Sequence, residues 1–365
     1  MRFPEFSGEW SKDCLNEFLE VQPARNTQGI YSKDDVLSVS GDYGVVNQIQ
    51  LLGRSFAGKD VSNYHIVRTN DIVYTKSPLK EFPYGIVKTN QGTAGIVSTL
   101  YAVYSAKSNT DPKFVEYYFS SKERTNKYFK PIVRIGAKHD MKIGNEEVLR
   151  NIVVFPSKQE QNKIQEFLRI IDERIATQSK IIKEQETLLK SLADSLISSQ
   201  VANMALNDCV VARSSAMKES ELENSGPFPV FGASGLCGYS NEALEESDSI
   251  LVTKDGSGVG TCQYATGAHS FLGTLCSLTA KEGVYLPYIY YALLNFNFAS
   301  FKTGLAIPHI YFKDYGKAVI YCPSYDEQVR IASGLEKIEA KIKSDKELLK
   351  QYQLQKEYLL SRMFI

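Results

Sequence analysis

The sequence predicts a mixed α/β (α+β) chain: two similar globular domains, each followed by a long helix. The two helices pair as an antiparallel coiled coil about an approximate two-fold axis. Three observations predict this. A motif recurs at an offset of 167 residues, an apolar seam stepping by four and three follows each copy, and a short linker separates the copies.

The motif is clearest at the helix starts. Val153-Val154-Phe155-Pro156-Ser157 is followed by Glu160-Gln161 and Ile164, and Ile320-Tyr321-Cys322-Pro323-Ser324 is followed by Glu327-Gln328 and Ile331. The first seam runs Ile164, Leu168, Ile171, Ile175, Gln178, Ile182, Gln185, Leu189, Leu192, Leu196. The second runs Ile331, Leu335, Ile338, Ile342, Asp345, Leu349, Tyr352, Lys356, Leu359, Met363. Apolar residues at this spacing line one face of a helix over more than four heptads. No proline interrupts either seam, and each Pro-Ser pair sits where proline fits and serine can cap. Helices of about 40 residues, roughly 60 Å long, are expected over 158–200 and 325–365. Gln178, Gln185 and Asp345 put polar groups into the seam, which costs stability and fixes register.

The globular parts, 1–157 and 201–324, repeat more weakly. Leu15-Asn16-Glu17 matches Leu206-Asn207-Asp208, Asp71-Ile72-Val73-Tyr74-Thr75-Lys76 resembles Ser249-Ile250-Leu251-Val252-Thr253-Lys254, and Phe114–Phe119 resembles Tyr288–Leu293. The first helix ends near Gln200 and the second repeat begins by Leu206. Six residues reach at most about 20 Å, so they cannot return along a helix of that length. The second domain therefore starts at the far end of helix one, and helix two most simply runs back beside it.

Composition narrows the class. Hydrophobic content of 43% and charged content of 23% fit a globular chain, and no run of 18 apolar residues suggests a membrane span. Residues 1–5 do not read as a secretory signal. The six cysteines are scattered with no CxxC pair, so reduced thiols in a cytoplasmic protein are expected rather than disulfides or zinc. Lys+Arg and Asp+Glu balance at 42 each, which alone argues against a nucleic-acid binder. The distribution is less even. Residues 1–157 carry 20 basic and 17 acidic groups, residues 201–324 carry 7 and 11, and Lys122–Lys142 holds seven cations against Glu123 and Asp140. That run reads either as a solvated basic helix face or as an electrostatic footprint.

The repeated order of domain and helix resembles the specificity subunits of type I restriction–modification systems. The phrases that carry the resemblance are Met1-Arg2-Phe3-Pro4-Glu5-Phe6-Ser7-Gly8-Glu9-Trp10, Tyr64-His65-Ile66-Val67 leading to Asp71-Ile72-Val73-Tyr74, Phe228-Pro229-Val230-Phe231-Gly232-Ala233-Ser234-Gly235, Asp255–Gly260, and the two Pro-Ser-x-x-Glu-Gln helix openings. It implies two target-recognition domains, each reading one half of a split, asymmetric site on double-stranded DNA. The paired helices would act as a spacer and dock two methyltransferase subunits, which bring S-adenosylmethionine and methylate adenine N6. A restriction subunit is a further partner of that family. A fixed protein spacer suits a split site, because half-site separation follows protein geometry. The spacer residues are Ile164, Leu168, Ile171, Ile175, Ile182, Leu189 and Leu192 with Ile331, Leu335, Ile338, Ile342, Leu349 and Leu359.

The chain itself is expected to be non-catalytic, with no cofactor or metal of its own. An amino-methyltransferase of this kind would carry an Asn/Asp-Pro-Pro-aromatic motif, and the twelve prolines include no Pro-Pro pair. Gly53–Asp60 spells GxxxxGK, but Asp60 stands where a P-loop needs Ser or Thr. Gly256-x-Gly258-x-Gly260 lacks the dinucleotide spacing and reads as a hairpin turn or a close approach to DNA. The four histidines lie apart from one another and from the cysteines. Loop residues rather than strand residues are the candidates for DNA contact. They are Lys76, Lys80, Lys88, Arg134, Lys138 and His139 in the first domain, and Lys254, Ser257, Lys302 and His309 in the second. The rival readings are a coiled-coil scaffold presenting two domains to protein or glycan, and an enzyme using a carboxylate in one domain.

Overall fold

The structure, a computed structural model, describes residues 1–79, 81–135, 141–304 and 307–364. It divides into two compact units, Met1–Thr177 with Leu349–Ile365, and Gln178–Leu348. Each unit therefore holds one globular domain and a part of both long helices.

The first unit is built on a four-stranded antiparallel sheet of β1 (Leu19–Val21), β2 (Ile72–Thr75), β3 (Val87–Thr89) and β4 (Tyr101–Ala106), in the order β1-β4-β2-β3. The register Ile72↔Tyr104, Val73↔Val103 and Tyr74↔Ala102 sorts alternate residues to opposite faces. Ile72, Tyr74, Ala102 and Tyr104 join a large core with Phe114, Phe129, Phe155 and Leu168. Val73 and Val103 join a smaller one with Leu37, Val45, Val67 and Val97. Both faces are covered, which is why β2 reads as an unbroken apolar run. Helix α1 (Pro112–Tyr118) starts with Pro112 in its first turn and Asp111 as its cap, the carboxylate accepting from the Phe114 amide at 2.8 Å. The pair Ser11–Cys14 and Ile152–Phe155 then leads into α2 (Lys158–Ala193).

The second unit repeats this plan. Its four-stranded sheet of β5 (Val210–Ser214), β6 (Ser249–Thr253), β7 (Cys262–Ala265) and β8 (Leu275–Ala280) has the order β5-β8-β6-β7, the same as the first. Helix α3 (Leu286–Leu294) occupies the place of α1, and the pair Met204–Ala205 with Val319–Ile320 leads into α4 (Tyr325–Arg362).

Two side chains recur at matching places. Gln161 accepts from the Asp111 amide at 2.9 Å and donates to the Pro156 carbonyl at 2.9 Å; Gln328 accepts from the Tyr285 amide at 2.9 Å and donates to the Pro323 carbonyl at 2.8 Å. Each ties the start of a long helix to the start of a domain helix. Tyr117 donates to Asp172 at 2.7 Å and Tyr291 donates to Glu339 at 2.7 Å, fastening each domain helix further along.

The long helices pair antiparallel. Asp172 meets Lys356 at 2.5 Å in the first unit, and Gln185 meets Asp345 at 2.9 Å in the second. Ile164, Leu168, Ile171, Ile182 and Leu189 are buried, as are Ile331, Leu335, Ile342 and Leu359. Ile175, Leu192, Ile338 and Leu349 are half-buried. The seam departs from the four-three spacing at the end of α2. Ala193 and Ile197 are buried, at 0% and 2% exposure, whereas Leu196 is 38% exposed. The helix closes there in a π turn, Asp194–Ser198, whose wider ring rotates the following residues off the seam.

Among the described residues no helix is long and apolar enough to cross a membrane.

Candidate nucleic-acid interface

In the second domain the chain passes from β6 through Lys254 into a glycine turn and returns as β7. Gly256 and Gly260 have φ of +93° and +89°. A Cβ on Gly260 would lie 2.7 Å from the Cβ of Phe298, so this position admits no side chain without movement. The segment is a hairpin between paired strands, and no helix follows its glycines as a dinucleotide site would require.

A second segment folds against this turn. The Lys254 carbonyl accepts from the Ile310 amide at 2.9 Å, and the Gly256 amide donates to Pro308 at 3.0 Å. Thr303 and His309 exchange backbone hydrogen bonds of 2.9 and 2.8 Å. These contacts gather Lys254, Ser257, Lys302 and His309, with Ser257 and Lys302 exposed. They also bring in two residues the sequence reasoning missed. Tyr311, 47% exposed, lies 5.2 Å ring to ring from His309, and the Lys313 ammonium sits 5.2 Å above the Tyr311 ring. An exposed aromatic beside cations can stack on a base or a sugar. Three of the domain's seven lysines and arginines are here, accompanied by Asp255 and Asp314. Seven of its eleven carboxylates instead fall within Glu219–Asp248, beside the separate sheet of Phe228–Gly232, Gly235–Ser240 and Ser270–Phe271.

In the first domain Lys76 follows β2 as Lys254 follows β6. It is half-buried and donates to Asn145 Oδ1 at 3.0 Å. Burial, then the nearby Arg25, hold its ammonium below the usual lysine range. Arg134 is exposed and pairs antiparallel with Lys142. The Tyr74 hydroxyl, 3.8 Å from the Met141 sulfur, and the Lys76–Asn145 bond fasten that region to β2. Lys88 lies in β3, not in a loop. Its ammonium is 3.5 Å from Glu116, a buried carboxylate that also takes Lys113 at 2.9 Å and the Thr89 amide at 3.0 Å. It is thus held by structural partners. Lys80, Lys138 and His139 lie outside the described residues.

The basic run of Lys122–Lys142 also divides. Arg124 donates to the Tyr118 and Leu360 carbonyls at 3.0 and 3.2 Å and packs over the Tyr118 and Phe364 rings, so this half-buried cation is held by structural partners. Lys127 and Lys130 remain exposed. Elsewhere, Gly53 caps the end of the helix Gln48–Leu52 with φ of +76°, so GxxxxGK follows a helix instead of opening one. His269 is fully buried, with Nε2 2.8 Å from the Ser249 hydroxyl and Nδ1 2.8 Å from the Gly267 carbonyl, a satisfied core imidazole. The cysteines are free, and no group of metal-ligating side chains gathers among the described residues.

Residues 199–353 match the family model described as the type I restriction modification DNA specificity domain. No curated protein matches the chain. Among solved structures, the S subunit of a type I restriction–modification system from M. genitalium aligns over 100% of this chain and 99% of its own, at 18% identity and a TM-score of 0.65. A chain from a study of complex assembly and conformational transition in the type I R-M system aligns over 98% of both chains, at 14% identity and a TM-score of 0.59. At these identities the likeness is one of fold.

Proposed function

We propose that this chain, whose residues 199–353 match the model of the type I restriction modification DNA specificity domain, is the subunit that reads the DNA sequence for a type I modification complex. The observation that carries the proposal is the duplication. Both units repeat one sheet order and one set of glutamine and tyrosine ties, while the loops differ between them. Two domains of one plan with unlike loops suit two unlike half-sites, hence a bipartite, asymmetric target on double-stranded DNA. The second domain can meet a phosphate backbone despite its acidic balance, because Lys254, Lys302 and Lys313 lie on segments that the backbone bonds of Thr303, His309 and Ile310 tie together.

The chemistry is assigned to partners. Two methyltransferase subunits would bring S-adenosylmethionine and methylate adenine N6. The long helices offer them exposed apolar side chains, Phe167 and Ile170 in the first unit, and Ile181, Leu188 and Leu348 in the second.

Methylated-base sequencing of DNA from cells carrying the chain with its methyltransferase should reveal one split, asymmetric motif. Lys254→Glu with Lys313→Glu should weaken duplex binding and erase methylation at that motif. Active partners without any such motif would refute the assignment.

A further inference from the structure

We infer that Arg25, His65 and Lys76 form a phosphate-binding site on the first domain, placed to hold one phosphodiester of a DNA backbone. Its assignment to DNA rests on the function proposed above; its phosphate chemistry does not.

Three separate chain segments bring the groups together. Arg25 is the antiparallel bridge partner of His65, fixed by the Ile66 amide on Ala24 and the Asn26 amide on Tyr64, each 3.0 Å. Directly opposed residues place their Cβ atoms about 4.5–5.5 Å apart. The Arg25 side chain is exposed and donates through Nη1 to the Asn63 carbonyl at 2.6 Å, leaving other donors of its fork for a ligand. Lys76 enters from the end of β2 and uses one donor on Asn145.

His65 is 4% exposed, and its Nδ1 is buried without a hydrogen-bond partner. Such an atom needs an explanation in a folded protein. Burial first, then Arg25, then Lys76 hold this imidazole in its neutral form, below the usual histidine range. Those two cations are the charged groups that bear on it among the described residues. Across the neighbouring strand His65 faces Val97. No carboxylate pairs with Arg25, His65 or Lys76 among the described residues.

Arg25 and His65 thus face each other across a bridge, with Lys76 near enough to bear electrostatically on both, and none of the three has a carboxylate partner among the described residues, an arrangement that an anion would relieve. A tetrahedral oxyanion offers several acceptor oxygens, which suits a guanidinium fork and a lysine on separate segments. Its charge also offsets the positive field of Arg25 and Lys76 at His65. Binding should therefore pull the imidazole toward the protonated form and be tighter at lower pH.

The test uses the full chain. Imidazole NMR signals of the four histidines are titrated with pH at constant ionic strength in chloride, with and without inorganic phosphate, and His65→Gln assigns the signal. Phosphate should raise the His65 midpoint saturably, and Arg25→Gln or Lys76→Gln should abolish the rise. In a second arm, a mixed-sequence duplex is bound by the chain with its methyltransferase subunits over a range of salt. Arg25→Gln with Lys76→Gln should reduce the slope of log K against log salt by about 0.9 for one lost phosphate contact. A phosphate-dependent His65 shift without duplex binding would keep the site and refute the DNA reading. Duplex binding with an unchanged slope, and a His65 midpoint indifferent to phosphate, would overturn the inference and leave the function standing. Circular dichroism of each variant confirms that the fold is retained.

Discussion

Replacing Gln161 by alanine should unfold the first unit early, and the structure sets the size of the effect. The side chain is 1% exposed and serves three backbone groups: the Asp111 amide at 2.9 Å, the Pro156 carbonyl at 2.9 Å and the Asn109 carbonyl at 3.2 Å. Pro156 is buried, so its carbonyl loses its partner with no water to replace it; Asp111 and Asn109 lie closer to solvent and recover part of the loss. A buried group left unpaired costs about 1–3 kcal/mol and an ordinary hydrogen bond about 0.5–1.5 kcal/mol, so Gln161→Ala should cost about 2–5 kcal/mol. With a urea slope of roughly 2–3 kcal/mol/M, the midpoint falls by about 1–2 M. The chain's single tryptophan reports on this transition. Trp10 is buried, and its indole donates to Glu160 at 3.3 Å, one residue from the substitution. Urea unfolding of the full chain followed by tryptophan fluorescence therefore reads the first unit. Gln161→Glu keeps an acceptor for the amide but turns oxygen toward two carbonyls, so it should be no milder. A shift under roughly 0.2 M in both variants would show that the glutamine is not the tie described here.

Two further outcomes follow from the helix pair. Asp345 is buried in the seam and accepts from Lys341 at 2.7 Å and Gln185 at 2.9 Å, and these bonds, Lys341 first, hold its carboxyl below the usual aspartate range. A carboxyl whose folded value is depressed stabilises the fold above its unfolded value of about 3.9, and that stability is lost as pH falls through the folded value. Asp345→Asn should therefore flatten the acid limb of stability measured by urea midpoints at successive pH, while an unchanged limb would remove Asp345 from its cause. At the end of α2, Ile197→Ala should cost about 2–5 kcal/mol and Leu196→Ala less than about 0.5 kcal/mol in thermal or urea unfolding. The reverse order would restore the four-three seam through Leu196.

The repeat was legible because its most regular part is also its most physically constrained. A helix pair must bury one residue at each step of four and three, so Ile164 to Leu189 and Ile331 to Leu359 remain readable however far the loops drift. The π turn was not legible, since Leu192, Ala193, Leu196 and Ile197 offer two apolar registers and only packing chooses between them. Gln161 and Gln328 stood in the sequence as the second half of a repeated Glu-Gln pair. Their role was hidden because their partners are backbone atoms some fifty or forty residues earlier. A polar residue repeated at a fixed offset just before an apolar seam is the signal that could have found them.

Candidate contacts fared differently, because whether a cation is available is a tertiary property. Lys88 and Lys76 look alike in sequence, yet one faces Glu116 and the other a neutral amide beside Arg25. Arg124 sits in the most basic stretch of the chain and is consumed by two carbonyls and two rings. Conversely, Lys313 and Tyr311 carried no motif and reach the Lys254 turn only through the bonds of Thr303, His309 and Ile310. The same reasoning removes the objection raised by charge. At physiological salt a charge is felt over about 8 Å, so a phosphate responds to the cations beside it far more than to a domain's sum. A domain with 7 basic and 11 acidic groups can then still present local cations, as at the Lys254 turn, where three lysines stand with Asp255 and Asp314. Seven of the eleven carboxylates fall within Glu219–Asp248, around a separate sheet. Neutral composition excludes a uniformly basic binder and leaves room for localised contacts.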